Sequence, residues 1–268
     1  MKTYPIIDAH VHISLYNDHA TDLASSLQQL VESMKKLGIS HAIVIPDNVE
    51  GLSTIAGLED ARKLLAGKTN FFLLGSPNIL KNGTTELSHF RDYIEQKIIC
   101  GLKFFPGHEA FYPTDERLSP YYELCEQTNT PIIFHTGENS GDSECAQYND
   151  PKYIVEIAKR YPRLKLIITH YFWPQLDYCY EITREIPNIY FELAGTADAE
   201  VLEKSGGWEK MQGILTKTVL DRPDKVIFGT DWPMCDVGKH IEMVHSLDIS
   251  EDMKKWIFWD NAVAVYTL

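Results

Sequence analysis

The sequence predicts a single (β/α)8 TIM barrel of the α/β class, and three observations carry that expectation. Strand-like and helix-like segments alternate along the whole chain, eight segments read as strands, and four of those strands end in a residue able to bind a metal. At 268 residues the chain matches the roughly 250 of one such barrel, so one domain over residues 1–268 is expected.

The strands fall near 5–9, 41–45, 70–75, 100–105, 131–135, 164–169, 189–193 and 225–229. Each is a short run rich in β-branched or aromatic residues, as in strands buried on both faces of a parallel sheet. Amphipathic stretches predict helices near 22–37, 51–66, 84–97, 118–129, 151–161, 174–186 and 198–219. Thr21-Asp22, Ser119-Pro120 and Asp150-Pro151 carry the capping side chains or early proline of helix starts. Gly38 and Gly67 suit the left-handed stop position. A doubly wound sheet is disfavoured, because no glycine-rich phosphate loop follows the first strand. The longest irregular segments follow strands four (106–118) and five (136–150), and Trp232-Pro233-Met234 follows strand eight. These loops would form the mouth of a barrel site and set its specificity.

Composition narrows the function. A net charge of -13 argues against nucleic acid and anionic membrane as partners and leaves a small-molecule substrate as the expected one. No apolar stretch approaches the roughly 20 residues that span a bilayer. The chain runs straight into a strand after Met1-Lys2-Thr3-Tyr4, so no signal peptide is expected. The five cysteines, Cys100, Cys125, Cys145, Cys179 and Cys235, have no CxxC spacing and suit reduced thiols in a cytoplasmic protein. A homo-oligomer is open, since nothing in the sequence reports on it.

The chemistry begins at His10-Val11-His12. Residues spaced i, i+2 on a strand project to one face, so both imidazoles can reach one ion. Three further strands end at His135, His170 and Asp231. A barrel gathers the carboxyl ends of all its strands, which brings these residues to one place.

These motifs resemble the amidohydrolase superfamily, and within it the amidohydrolase-related group (amidohydrolase 2) that also contains metal-dependent decarboxylases. The resemblance rests on His10-Val11-His12, Phe134-His135-Thr136-Gly137, Thr169-His170, Gly229-Thr230-Asp231-Trp232-Pro233 and the closing Asp260-Asn261-Ala262-Val263, in order from residue 6 to about 266. It implies one divalent metal ion, zinc expected, on His10, His12, His135 and Asp231, with one or two positions left for water. Asp231 would also act as proton acceptor, and His170 as a polarising group or second acid/base. Some superfamily members carry a carboxylated lysine after strand four. If Lys103 plays that part, it would bridge to a second metal held by His135 and His170; otherwise it pairs with a carboxylate or the substrate. The implied reaction is hydrolysis of a small amide, lactone or ester by metal-activated water. Non-oxidative decarboxylation of an aromatic or unsaturated acid is the alternative, and a catalytically silent binding barrel is a third.

Asp8 shares the nominal face of His10 and His12 and is expected to orient a ligand. Tyr171, Phe172, Trp173 and Trp232 follow ligand positions and are candidates to wall a substrate pocket, as are His108, Glu109, Glu138 and Asp142 on mouth loops. His19, His41, His89, His240 and His245 are given no role.

Overall fold

A computed structural model describes residues 4–16, 20–49 and 54–268. The elements run β1 Ile7–Val11, α1 Leu23–Leu37, β2 His41–Val44, α2 Leu58–Leu64, β3 Phe71–Leu73, α3 Ile79–Asn82, α4 Leu87–Glu95 and β4 Leu102–Phe104. They continue with α5 Ser119–Thr128, β5 Ile132–Phe134, α6 Pro151–Arg160, β6 Leu166–Thr169, α7 Leu176–Thr183, β7 Ile189–Glu192, α8 Ala199–Ser205, α9 Trp208–Asp221 and β8 Val226–Ile227. The last helices are α10 Val237–Ser246, α11 Glu251–Lys255 and α12 Asn261–Tyr266. His19 and the expected helical start at 51 lie outside the described residues.

Every strand pair is parallel, in the orders β1-β2-β3 and β4-β5-β6-β7-β8. Backbone bonds join the two groups. Gly75 N–H donates to Gly101 O at 2.9 Å, and Lys103 N–H to Gly75 O at 2.8 Å. On the other side Ala9 N–H reaches Phe228 O, Asp231 N–H reaches His10 O and His12 N–H reaches Trp232 O. The eight strands therefore close into the (β/α)8 barrel.

Local chemistry places the helices. Asp22 caps α1 by accepting from Ser25 N–H at 2.7 Å, and Gly38 ends it at φ 74°. Asp150 caps α6 in the same way, with Pro151 in first position. The single helix expected over 198–219 is two, because Gly206 and Gly207 both take φ 97° and turn the chain between α8 and α9. A small cluster including Ile7, Ile43, Ile133, Ile167 and Ile227 fills the barrel and meets Val265 and Tyr266 of α12. A larger one lies between strands and helices. Burial of both accounts for most of the driving force for the fold.

The pairing of β1 with β2 shifts register between Asp8 and Val11. Such a shift breaks strict alternation and re-aims side chains. His10 and His12 reach the barrel mouth, whereas Asp8 turns to β8. It accepts from Thr230 N–H at 3.0 Å and Thr230 Oγ1 at 2.6 Å, and from its own strand at His10 N–H.

Candidate active site

Five strand ends meet at the carboxyl face of the barrel. His10 Nε2 lies 3.4 Å and His12 Nε2 3.3 Å from Asp231 Oδ1. The three ligand atoms lie within 4.8 Å of one another. The other nitrogen of each imidazole is committed: His12 Nδ1 donates to Ile45 O at 2.9 Å, and His10 Nδ1 is bonded to the Glu192 carboxylate. With Nδ1 holding the proton, each ring turns an Nε2 lone pair toward a carboxylate oxygen. Three electron-pair donors facing one another repel, and a divalent cation between them resolves the conflict.

His170 follows the same rule, donating from Nδ1 to Ala194 O at 2.8 Å and leaving Nε2 toward the site. Its ring lies 5.4 Å from that of His10 and 4.9 Å from that of His135. His135 stands outside the close group of three donors, and its buried Nε2 has no hydrogen-bond partner among the described residues. Lys103 Nζ is also buried and unpartnered. Each such orphan costs free energy on the order of 1–3 kcal/mol or more, so both atoms are held ready for something that enters. The donor set fits a divalent ion on His10, His12 and Asp231, with His135 the additional ligand that sequence motifs imply.

The site's charges are strongly perturbed. Burial would raise the Asp231 carboxyl, but whenever the facing nitrogens of His10, His12 and His170 carry a proton they outweigh it and hold it well below the usual carboxylate range. A cation between these groups would act on it in the same direction. Burial pushes Lys103 down to about 8 despite Glu192 and Asp231, so it is mostly ammonium at neutral pH. Burial pushes Glu192 up to about 7, opposed by Lys103. It also holds His10 well below its ordinary value and lowers His170 to about 3.

Local backbone strain supports this geometry. Asp231 sits at φ 71°, pinned by its N–H to His10 O and by Met234 N–H on its own carbonyl. His170, Tyr171 and Phe172 are three consecutive left-handed residues, at φ 61°, 54° and 53°. Gly229 makes room between the strands, since a Cβ there would lie 3.0 Å from His10 Cβ and 3.1 Å from the Glu192 side chain.

A cavity of about 790 Å³ opens above the site, lined by all of these catalytic candidates and by Trp173, His108, Glu109 and Glu138. Four expected substrate contacts do not reach it. Tyr171 stacks on Phe191 at 4.8 Å and its hydroxyl bonds Thr218 of α9, because the left-handed turn swings it into the strand–helix layer. Trp232 is 7% exposed and absent from the cavity wall; its backbone instead pairs with His12 and Thr230. Phe172 is core, and Asp142 turns back to cap Glu144. Asp8 touches His10 only at the backbone, so the carboxylate that orients the His10 ring is Glu192. Sequence reasoning missed Glu192, although β7 ends in it as other strands end in candidate ligands. It also missed Asp47 and Asn48 after β2.

The chain matches the amidohydrolase family over residues 7–268. It belongs to that family. This amidohydrolase is similar to a curated L-rhamnono-gamma-lactonase of Scheffersomyces stipitis, 23% identical over 44% of this chain and 45% of the relative. The match thus spans less than half the length of that relative. Among solved structures, the fold resembles an uncharacterized TIM-barrel protein of Bordetella bronchiseptica (TM-score 0.77, 21% identity, 98% and 99% of the two chains). It also resembles a dihydroxybenzoic acid decarboxylase of Polaromonas sp. JS666 with bound manganese and 2-nitroresorcinol (TM-score 0.67, 14% identity, 100% and 98%). Among the described residues of this amidohydrolase, no helix is long and apolar enough to cross a membrane.

Proposed function

We propose that this enzyme is a metal-dependent hydrolase that opens a small amide, lactone or ester. The observation that carries the reading is the convergence of His10 Nε2 and His12 Nε2 on Asp231 Oδ1, beneath a cavity that also holds the unpartnered Lys103 and His135. A divalent ion on His10, His12 and Asp231, with His135 as further ligand and zinc the expected metal, would lower the pKa of a water to about 7 and polarise the acyl group.

The chain's own residues supply the rest. Asp231 is ionised at neutral pH and can take a proton from the attacking water, then return it to the leaving group. Glu192 and Ile45 O hold the rings of His10 and His12 in one tautomer. His170, fixed on Ala194 O, presents Nε2 as the second proton-handling group. The Lys103 ammonium is placed to balance negative charge that develops on the acyl oxygen.

The same ammonium would also suit a carboxylate, which is what favours decarboxylation as the second reading. Screening small lactones, esters, amides and hydroxybenzoates separates the two. Acid release that stops on chelation and returns with added divalent metal supports the hydrolase. Release of CO2 from a hydroxybenzoate, with no acid from any lactone, ester or amide, overturns it. A purified protein with no metal and no metal-restored activity overturns both.

A further inference from the structure

The cavity lining sets one buried amine against several carboxylates. Its floor carries the Lys103 amine, 1% exposed and without a hydrogen-bond partner, beside His135 Nε2 in the same condition. One wall is built from the segments after β2 and β4, where Asp47, Asn48 and Glu109 face the same space. Asn48 Nδ2 donates to Glu109 Oε2 at 2.7 Å, and Asn48 N–H donates to Asp47 Oδ1 at 2.7 Å. The two acids are thus joined through Asn48, one by its side-chain amide and one by its backbone N–H, rather than through a cation. Glu138, Asp198 and Glu200 add carboxylates to the cavity lining, so Lys103 on the floor is its only lysine or arginine among the described residues.

We propose that Glu109, with Asn48, is the specificity-determining residue of this site, and that it binds hydroxyl groups on the part of the substrate remote from the scissile bond. The substrate class is then a neutral, polyhydroxylated lactone or ester. This rests on the hydrolase reading above for the bond that is cleaved, and on the wall itself for the hydroxyls.

The chemistry of the wall selects among ligands. A hydroxyl both donates and accepts, and so does a carboxyl beside a primary amide. Burial, aided by Asp47, pushes the Glu109 carboxyl up to about 7, so near neutral pH it can offer its proton as well as its oxygens. A carboxylate on this end of a substrate would face Asp47 and Asp198, and Glu109 once it ionises, whereas Lys204 pairs with Glu138 and Glu200; the uncompensated repulsion would disfavour it. An electron-rich acyl oxygen finds its partner in the buried Lys103 amine. The substrate therefore binds in one direction, acyl group down and hydroxyls toward Glu109.

The test compares wild type, Glu109→Gln and Glu109→Ala on three γ-lactones: one polyhydroxylated, its deoxygenated analogue, and one bearing a remote carboxylate. Circular dichroism checks that each variant folds. For the polyhydroxylated lactone, Glu109→Ala should raise KM about tenfold to a hundredfold, the effect of one or two lost hydrogen bonds to a half-buried group, with kcat nearly unchanged. Glu109→Gln should restore most of the affinity, and KM for the deoxygenated lactone should not respond. Equal KM increases on both neutral lactones would show that Glu109 only holds its loop, and would overturn the proposal. So would a wild-type preference for the carboxylate-bearing lactone. If no lactone is hydrolysed, equilibrium binding of the polyhydroxylated lactam isostere tests the wall independently. Binding lost in Glu109→Ala and kept in Glu109→Gln supports the subsite even where the hydrolase reading fails. Binding indifferent to both substitutions overturns it.

Discussion

Glu192, the last residue of β7, is hydrogen-bonded to His10 Nδ1 on β1, across the intervening strand β8. The reach is open because Gly229 has no side chain to stand in it. The next two residues complete the join: Thr230 ties β8 to Asp8, and Asp231 meets the Nε2 atoms of His10 and His12. Gly229-Thr230-Asp231 thus does three separate jobs at one seam: space, latch and proposed ligand.

Losing the Glu192 acceptor should therefore be felt at the metal. Glu192→Leu leaves His10 free to turn or to take the other tautomer. Affinity for a divalent ion should fall about 10- to 100-fold, the usual effect of removing a partner behind a metal-binding histidine. Competition titration against a chelating dye measures it. An unchanged affinity would remove Glu192 from the site.

Asp231→Asn keeps the size and one oxygen but removes the proton-accepting carboxylate. kcat should fall about 10²–10⁴ with the fold intact. Metal content should fall only partly, because the imidazoles remain. Steady-state kinetics with elemental analysis reads both, and near-normal turnover with metal bound would falsify the proton-acceptor role.

Lys103 is a cost to the fold that function explains. Its pKa drops from the ordinary 10.5 to about 8 because burial disfavours the ammonium, whereas the unfolded chain keeps the higher value. Below about 8 both states are protonated and the penalty, roughly 3 kcal/mol, is fully present; it fades as pH rises from about 8 to 10.5. Lys103→Met should therefore stabilise the metal-free protein at pH 7, with a gain that shrinks toward pH 10.5, and should abolish activity. Denaturant unfolding across that range checks the sign. A gain that does not vary with pH would mean the ammonium is not its source.

The latch between the first and last strands can be weighed directly. Thr230→Val preserves shape but removes the hydroxyl that donates to Asp8 Oδ2 at 2.6 Å and accepts from Trp232 N–H at 3.2 Å. Stability should fall by about 1–3 kcal/mol, the cost of leaving buried polar atoms unsatisfied. Urea unfolding of metal-free protein isolates this effect from ligand loss.

How legible the molecule was in its sequence depended on the range of the causes. All eight strands lie where β-branched runs placed them, and Asp22, Asp150 and Gly38 cap their helices as their chemistry demands. The strand ends also brought His10, His12, His135, His170 and Asp231 to one cavity. The break at Gly206-Gly207 rests on two consecutive positive-φ glycines, which the apolar periodicity on either side does not report. Glu192 carried the strand-end signal, but nothing local showed that its partner would be a ring on another strand. Asp8 failed the i, i+2 argument because a register shift in β1 is a property of pairing with β2. Tyr171 left the cavity through left-handed backbone angles that no glycine or asparagine announces. Asp47 and Asn48 matter only because the segment after β2 comes to lie against Glu109 from the segment after β4.

The closing seam also sets an order of events during biosynthesis. His10 and His12 emerge more than 200 residues ahead of Asp231, their shared partner. At about 5–20 residues per second, the two imidazoles wait on the order of ten seconds or longer for the carboxylate to be made. The first strand cannot find its second neighbour until β8 exists, and Thr230 cannot latch onto Asp8 any earlier. The proposed ion site is thus incomplete in the nascent chain until Asp231 has been made.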